Sequence, residues 1–249
     1  HTGTLDPMAE GVLPILIGKG TLLSKYLINH NKKYIVELQL GTKTDTADSE
    51  GKIIEEQPVN ETLLTQENIT KILQTFIGKQ EQVPPIYSAI KVNGKKLYEY
   101  AREGKSVTLP KRDVSILDLK LLSVTPTTFS FKTTVSKGCY IRSMIEDMGK
   151  ILGVPLTMAS LKRTKQGDFS LTDAKNLAEI DENVELISIK DALQVKTKEI
   201  DKDLAKKIKS GSKIRIDENM LLFLEDGREL ALYMKIDDYA KPLKMFSTK

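Results

Sequence analysis

The chain of 249 residues is long enough for one large domain, or for one domain with a small appendage. Apolar residues make up 40% and charged residues 29%, and no apolar run approaches the roughly 18 residues of a membrane span, so the composition predicts a soluble, globular protein. The formal net charge of +4 is only mildly basic and does not by itself establish a polyanionic partner.

The cysteine and histidine content limits the kinds of site that the chain can build. Cys139 is the only cysteine, which excludes an internal disulfide and agrees with a reducing compartment, so we expect a cytoplasmic protein. With His1 and His30 as the only histidines, a thiolate or imidazole metal cage is not expected. The acidic residues at 44–51 have the wrong spacing for an EF-hand. The sequence therefore predicts no metal site.

The first third of the chain contains a predicted strand and a predicted helix. Residues 33–40 (KYIVELQL) largely alternate polar and apolar side chains before Gly41, which is typical of a strand with a stop. The polar residues 42–51 are expected to form a loop. Apolar residues then recur at helical spacing over 66–77, and Gly78 is placed as the C-terminal stop of that helix.

The middle of the chain mixes strands and helices without regular alternation. Residues 83–112 are rich in proline, lysine and tyrosine and resemble an excursion from the core. Apolar-rich runs at 114–124 and 129–135 predict paired strands, and residues 141–152 have the spacing of an amphipathic helix that ends at Gly153. This order favours an α+β fold over a doubly wound sheet.

A second, smaller unit is predicted to begin near Val195. Residues 196–199 are polar and are interpreted as a short linker, followed by a lysine-rich helix at 201–209. Short strands are predicted at 213–216, 220–224 and 229–236. The end of the chain therefore predicts a small β-rich appendage.

The opening sequence, HTGTLDP, followed by GVLP at 11–14, is the most informative stretch. Asp6 before Pro7 is typical of a helix N-cap with proline at the first helical position. A carboxylate at a helix N-terminus is kept ionised, which suits a nucleophile or a base as well as a cap. A purely structural cap is therefore the alternative to a functional Asp6.

HTGTLDP with GVLP closely resembles the catalytic-loop motif of bacterial tRNA pseudouridine-55 synthases of the TruB type. The similarity continues in ordered blocks at 33–34 (KY), 44–51 (TDTADSEG), 82–89 (QVPPIYSA), 98–104 (YEYAREG), 137–143 (KGCYIRS) and 161–164 (LKRT). These blocks extend over most of residues 1–169, so a chance match is negligible.

The resemblance implies catalytic roles at four positions. Asp6 matches the essential aspartate, which attacks or deprotonates the ribose or base so that the glycosidic bond breaks and uracil reattaches through carbon 5. Tyr34 matches the tyrosine that packs on the uracil ring and is implicated in proton removal at carbon 5. Tyr140 matches a second tyrosine of the pocket. Arg142 matches the arginine that pairs with the catalytic carboxylate.

Substrate-binding roles are implied at five further positions. Leu161 matches an apolar residue under the base, and His1 matches the histidine that enters the T-loop when the nucleotide is extruded. The remaining three lie in the matching blocks and are Tyr87, Lys91 and Arg163. The isomerisation requires no cofactor, so none is expected.

The family resemblance also implies how the chain is divided. Residues 1–193 would form a pseudouridine synthase catalytic domain around a mixed, largely antiparallel sheet, with a thumb-like insertion at about 84–113. Residues 194–249 would form a small PUA-like RNA-binding domain. The partner is expected to be the T-arm of tRNA, with no membrane and no metal, and the protein is expected to be a monomer.

The basic residues of the predicted thumb would grip the T-loop, because extrusion of a stacked uridine costs a few kcal/mol. They are Lys91, Lys95, Lys96, Arg102, Lys105, Lys111 and Arg112. A solvated charged loop is the alternative interpretation of this segment.

Two other functions stay open on sequence grounds. One is a guide-RNA-dependent pseudouridine synthase relative, against which the GVLP continuation and the short C-terminal unit argue. The other is a tRNA-binding folding helper, an RNA chaperone. Family members usually carry a further segment before HTGTLDP, including a Lys-Pro motif and a strand of the core sheet, so we expect this chain to lack part of its family's sheet. Whether the chain is active without that segment stays open on sequence grounds.

Overall fold

The computed structural model describes residues 1–60, 62 and 64–247. The chain forms two compact units. The larger unit consists of residues 3–14 and 28–174, and the smaller unit consists of residues 1–2, 15–27 and those from 175 onwards. Within the described ranges, the helices are all too short or too polar to cross a lipid bilayer.

The strands of the larger unit, in chain order, are β1 (Glu10–Gly11), β2 (Lys32–Leu40), β3 (Thr42–Thr44), β4 (Ile53–Glu56), β5 (Gly78–Gln82), β6 (Lys91–Val92), β7 (Lys95–Lys96), β8 (Arg112–Val124), β9 (Thr128–Val135), β10 (Leu156–Gln166) and β11 (Phe169–Ser170). Those of the smaller unit are β12 (Lys196–Glu199), β13 (Met220–Glu225), β14 (Arg228–Ile236) and β15 (Tyr239–Met245). The α-helices are α1 (Ser24–Leu27), α2 (Gln66–Thr75), α3 (Leu97–Arg102), α4 (Ile141–Leu152), α5 (Ile189–Leu193) and α6 (Lys202–Lys209), of which α2, α3 and α4 belong to the larger unit. Short 3-10 helices lie at Gly18–Leu23, Leu171–Asp173 and Leu177–Glu179.

The larger unit is built on one sheet in the order β1-β10-β2-β9-β8-β5, with β11 paired to β10. β1 runs parallel to β10, and the other pairs are antiparallel. The hairpins β3-β4 and β6-β7 lie outside this sheet. The prediction of an α+β fold on a mixed, largely antiparallel sheet is confirmed.

The two faces of this sheet differ in composition. On β2, Tyr34, Val36 and Leu38 are buried on what we call the inner face, whereas the alternate residues are exposed or half-buried on the outer face. Helices α2 and α4 contribute their apolar stripes to the core of the inner face. Each fully buried aliphatic side chain contributes roughly 1.5–3 kcal/mol. The inner face therefore holds the core and can also hold buried functional groups.

Most predicted elements of the larger unit are confirmed within one or two residues. β2, β8, β9 and α4 lie where the patterns placed them, and α4 ends at Gly153 in the left-handed conformation with φ +68°. α2 begins after Thr65, whose side chain accepts a hydrogen bond from the Asn68 N–H.

Three local predictions for the larger unit were wrong. Asp6 does not cap a helix: the Ala9 N–H donates to the Asp6 carbonyl at 2.9 Å, so Pro7 lies in a turn, which accepts proline equally well. Gly78 does not directly end α2, which stops at Thr75, but begins β5. The expected loop at 42–51 contains β3, paired with β4.

The smaller unit contains a sheet in the order β12-β13-β14-β15. Phe223 and Tyr233 meet edge to face in its core, with ring centroids 5.3 Å apart. The predicted linker at 196–199 is wrong, because these residues form β12, parallel to β13. The predicted strand at 213–216 is reduced to a single bridge between Ile214 and Ala240. The β-rich character is confirmed, whereas the PUA-like role and the domain limits at 193 and 194 stay predictions.

Candidate active site

The side chain of Arg142 joins two distant parts of the larger unit. It is the second residue of α4, and its side chain is only 5% exposed. One Nη2 hydrogen bond runs to Asp6 Oδ1 at 2.9 Å and another to the Tyr87 carbonyl at 3.0 Å. The Asp6 side chain is 30% exposed, so its carboxylate is held from the buried side and open on the other. This geometry fits a carboxylate that must be fixed and still reach a ligand.

A second carboxylate lies beside the same arginine. Asp48 Oδ2 is 3.8 Å from Arg142 Nη1, which also donates to the Thr46 carbonyl at 3.1 Å. Asp48 is almost fully buried and accepts hydrogen bonds from the Thr46 hydroxyl at 2.6 Å and the Glu50 N–H at 3.2 Å. The buried carboxylate of Asp48 therefore has an opposite charge and hydrogen-bond donors beside it, which lowers the cost of its burial.

The start of α4 is fixed by a pair of hydrogen bonds across the inner face. The Gln82 side chain accepts from the Tyr140 N–H at 2.8 Å and donates to the Tyr140 carbonyl at 3.0 Å. Gln82 ends β5 and is buried. Tyr140 is the residue before α4, so this contact sets the direction in which Arg142 enters the site.

The loop that carries Asp6 is clamped to β10 by Arg163. The Arg163 side chain is 1% exposed, and its Nε donates to the Val12 carbonyl at 2.6 Å and its Nη2 to the Gly3 carbonyl at 3.1 Å. Gly11 passes so close to β10 that a Cβ there would lie 2.1 Å from the Arg163 carbonyl oxygen, and its φ is +110°. Only glycine permits this approach. The loop is thus held at both ends, with Asp6 between them.

Two tyrosines lie within the electrostatic reach of Asp6. Burial raises the pKa of Tyr34 above its ordinary value of 10.0, an effect that the Arg163 guanidinium opposes and the Asp6 charge reinforces. Burial likewise raises the pKa of Tyr140, with the arginines at 112 and 142 opposing and Asp6 adding to the rise. Both side chains therefore stay neutral phenols at neutral pH.

The single cysteine lies next to this site but is not reactive. Burial raises the pKa of the Cys139 thiol to about 12, and the hydrogen bond with Gln82 only partly opposes this. A thiolate is the nucleophilic form, so this environment disfavours covalent catalysis by Cys139 at neutral pH. Among the described residues, no group of three His, Cys, Asp or Glu side chains is arranged to hold a metal ion.

The family model for the N-terminal domain of TruB family pseudouridylate synthases matches residues 1–141. The tRNA pseudouridine synthase B of Oceanobacillus iheyensis is 41% identical over 99% of this chain and 88% of its own length. That of Shouchella clausii is 43% identical over 94% of this chain and 82% of its own length. The chain belongs to the TruB family of pseudouridylate synthases. It is therefore an enzyme of this class, as its motif blocks predicted.

Comparison with solved structures supports the same fold for this TruB family member. A chain of a crystallised Cbf5-Nop10-Gar1 complex superposes with a TM-score of 0.68 over 99% of this chain and 76% of that chain. The two sequences are 19% identical. This likeness concerns the fold alone, because the identity is low.

The structure brings several of the predicted site residues of this TruB family protein together. Asp6 and Arg142 are in contact, and Tyr34 and Tyr140 are close enough to Asp6 to be affected by its charge. Leu161 is buried on the inner face, in the strand next to Tyr34. Their catalytic and binding roles stay predictions.

The other predicted binding residues are placed differently. The Tyr87 main chain contacts Arg142, whereas its side chain is half-buried, and Lys91 is exposed on β6. Arg163 is buried, donates two hydrogen bonds to the Asp6 loop and also forms one with the Tyr34 side chain. His1 belongs to the smaller unit and is exposed. A direct substrate contact by the Arg163 side chain stays untested, but its position points first to a role in holding the loop.

Sequence reasoning missed the part played by Asp48. Residue 48 was considered only as a calcium ligand, although it lies in the TDTADSEG block that carries the family resemblance. Its burial beside Arg142 depends on Ala47, whose φ of +61° turns the chain and whose carbonyl accepts from the Met158 N–H at 3.1 Å. That contact with β10 joins residues far apart in the sequence, so no local sequence pattern predicts it.

Proposed function

We propose that this protein converts one uridine in the T-loop of tRNA, at position 55, to pseudouridine, with Asp6 as the essential carboxylate. The observation that carries the proposal is the open carboxylate of Asp6, held 2.9 Å from buried Arg142 in a member of this enzyme family. The relatives that share about 40% of its residues are tRNA pseudouridine synthases B.

The reaction is an isomerisation in which atoms and electrons balance. The bond between ribose C1′ and uracil N1 breaks, the base turns, and a bond forms between C1′ and C5. The proton on C5 leaves and N1 gains one. No oxidant, reductant or energy source is consumed, so the residues of the chain itself have to supply binding, orientation and proton transfer.

The roles of the site residues follow from their positions. Arg142 holds the Asp6 carboxylate in place, and Asp48 in turn helps to hold the guanidinium. Tyr34 and Leu161 offer a phenol ring and an apolar side chain on adjacent strands against which an extruded base can pack. The raised pKa of Tyr34 favours this packing role, because a phenolate base is scarce at neutral pH.

The segment at 84–113 would hold the extruded loop. Its Tyr98 ring is contacted by two cations, Lys96 and Arg102, and each lies 5.2 Å from the ring centroid. Lys95 lies 5.1 Å from the Tyr100 centroid. Cations combined with aromatic faces favour phosphate and base contacts. The basic helix α6 would add backbone contacts from the smaller unit. A monomeric, cytoplasmic enzyme remains the expectation.

The proposal is tested by mapping pseudouridine in an unmodified tRNA transcript after incubation with the protein. We expect conversion at the single T-loop position, and none in a transcript with cytidine there or with the Asp6→Asn variant. Conversion at other positions would contradict the site assignment. Tight binding without any conversion would instead support the RNA-chaperone alternative.

A further inference from the structure

The outer face of the large sheet carries lysines at directly opposed positions of neighbouring strands. Lys165 on β10 is the cross-strand partner of Lys33 on β2, and Lys132 on β9 is that of Lys120 on β8. Lys162 on β10 is the partner of Ile35 on β2, and Ile35 pairs on its other side with Lys132. We call these five lysines the lysine face. Side chains at such positions lie about 4.5–5.5 Å apart at Cβ.

The fold itself gains nothing from this arrangement. Like charges at directly opposed strand positions destabilise a sheet. Among the described residues, Lys33, Lys132 and Lys165 form no ion pair or side-chain hydrogen bond. Lys120 and Lys162 have carboxylates only at 3.9 Å. Three carboxylates, those of Glu10 on β1, Glu37 on β2 and Asp118 on β8, lie among the five lysines, so positive charge still prevails and would be offset by a bound anion.

A cleft of about 470 Å³ continues the lysine face at the end of the strands. It is lined by Lys33, Thr134 and Lys165 of the sheet and by residues 29–31 and 167–168. These groups supply ammonium, hydroxyl and amide donors, with Asp168 as the one carboxylate of the lining. Such a donor set suits phosphate oxygens. The lysines extend over four strands, which suits a chain of phosphates better than one small anion.

The lysine face lies on the opposite side of the sheet from the active site. Lys33 and Tyr34 are consecutive and point to opposite faces, as do Lys162 and Leu161. A hairpin loop whose uridine is inserted on the inner face cannot contact the outer face through the sheet. A second part of the same RNA can do so by passing around the strand ends.

We propose that the lysine face and its cleft bind the phosphodiester backbone of the substrate tRNA outside the T-arm. This rests on the proposed function. It assigns to the protein a contact that the isolated T-arm stem-loop does not make. The contact is electrostatic, so it contributes affinity and salt dependence without reading sequence.

The test compares the double variant Lys33→Gln/Lys165→Gln with a matched control, Lys71→Gln/Lys150→Gln. The control lysines are exposed on α2 and α4, where each pairs with a carboxylate of its own helix, and two charges are removed in both variants. Equilibrium binding of whole tRNA and of the T-arm stem-loop is measured over a range of salt concentrations. Single-turnover conversion of the stem-loop is measured in parallel.

For the lysine-face variant we expect the Kd for whole tRNA to rise about tenfold, and the slope of log K against log salt to shrink by about 2. Affinity and conversion rate for the stem-loop should not change. The melting temperature of this variant should not fall below that of the wild type, because the substitutions remove a pair of like charges. The control variant should match the wild type throughout.

Two outcomes would overturn the proposal: equal effects in the lysine-face variant and the control, or no effect on whole tRNA. A loss of stem-loop affinity as large as that of whole tRNA would place the contact in the T-arm and also contradict it. Failure of the proposed function is recognised separately, because wild-type protein would then not convert the stem-loop at all.

Discussion

Two buried arginines of the larger unit are used in different ways. Arg142, at the start of α4, pairs with the carboxylates of Asp6 and Asp48 and also donates to two main-chain carbonyls. Arg163, on β10, donates instead to the carbonyls of Val12 and Gly3 and forms a hydrogen bond with the Tyr34 side chain. The first is 5% exposed and the second 1%. One positions a carboxylate that remains open to a ligand, and the other positions the main chain that carries it. Two arginines of similar burial therefore have different partners, and among the described residues only Arg142 has carboxylates among them.

The contrast predicts different responses to mutation. Removing one partner of a buried ion pair leaves an uncompensated charge, which is costly. Removing a donor to main-chain carbonyls frees a loop and leaves its acceptors unpaired. Substitution of Arg142 should therefore lower both the reaction rate and the stability, and substitution of Arg163 should act mainly on stability.

The largest effect is expected for Arg142→Met. Asp6 loses its partner and Asp48 is left buried without one, so the single-turnover rate should fall about 100- to 1,000-fold. Arg142→Lys keeps the charge but not the planar fork, and should recover only part of the rate. The measurement is conversion under enzyme excess, with tRNA affinity determined alongside. A rate within a factor of about three of wild type would refute this assignment.

Arg163→Met should lower the free energy of unfolding by about 2–3 kcal/mol, because two main-chain carbonyls of the Asp6 loop lose their donor. Urea denaturation measures this directly. Lys162→Met is the matched control: the same type of change one residue earlier, on the exposed side of β10, should cost less than about 0.5 kcal/mol. Equal stability of the two variants would mean that Arg163 does not hold the loop.

Gly11→Ala tests the close approach between the loop and β10. A Cβ at this position meets main-chain atoms that cannot give way, and φ is +110° there, so we expect a loss of about 2 kcal/mol or more together with a slower reaction. Gly104→Ala provides the comparison, since its φ of +63° is also unfavourable but no atom lies within 4 Å. If both variants lose the same stability, backbone conformation alone explains the effect.

The smallest effect concerns Lys32, whose Nζ donates to the His30 carbonyl at 2.9 Å. Burial, followed by the charges of Arg163 and Lys137, lowers its pKa from 10.5 to about 8. The unfolded chain therefore binds more protons between these pH values, and this group makes stability rise with pH in that window.

The measurement is the difference in unfolding free energy between wild type and Lys32→Met. Between about pH 7.5 and about pH 9.5, the unfolding free energy of the wild type should increase relative to that of the variant by about 1–2 kcal/mol. Because other titrating groups are common to both proteins, their contributions cancel in the difference. A difference that is constant over this range would mean that the lysine is not desolvated in the folded protein.

Sequence patterns located the elements whose burial is regular. α4 has a continuous apolar stripe and a glycine end, and β2 alternates strictly, so both were placed within a residue. β10 was not predicted, although it is an interior strand of the sheet, between β1 and β2. Polar residues such as Thr157, Arg163 and Gln166 are buried along it, and irregularities near Met158 and Arg163 interrupt the alternation.

The remaining errors have the same physical origin, which is that partners distant in sequence decide local structure. β12 has the composition of a linker and becomes a strand because β13 supplies its hydrogen bonds. Asp-Pro suits a helix start and a turn equally, and packing of Leu5 and Met8 against the core accompanies the turn. The motifs located Asp6, Tyr34 and Arg142, but the Asp48 contact and the Arg163 clamp became visible only in three dimensions.

The central claim is that the carboxylate of Asp6 is indispensable to the isomerisation of a tRNA uridine. The most direct measurement is tritium release from a T-arm stem-loop labelled at uridine C5, under enzyme excess, for the wild type and for Asp6→Asn. Asp6→Asn should bind the stem-loop with a Kd within a few-fold of wild type and release no tritium above background. Release by Asp6→Asn at a rate comparable to wild type would contradict the account.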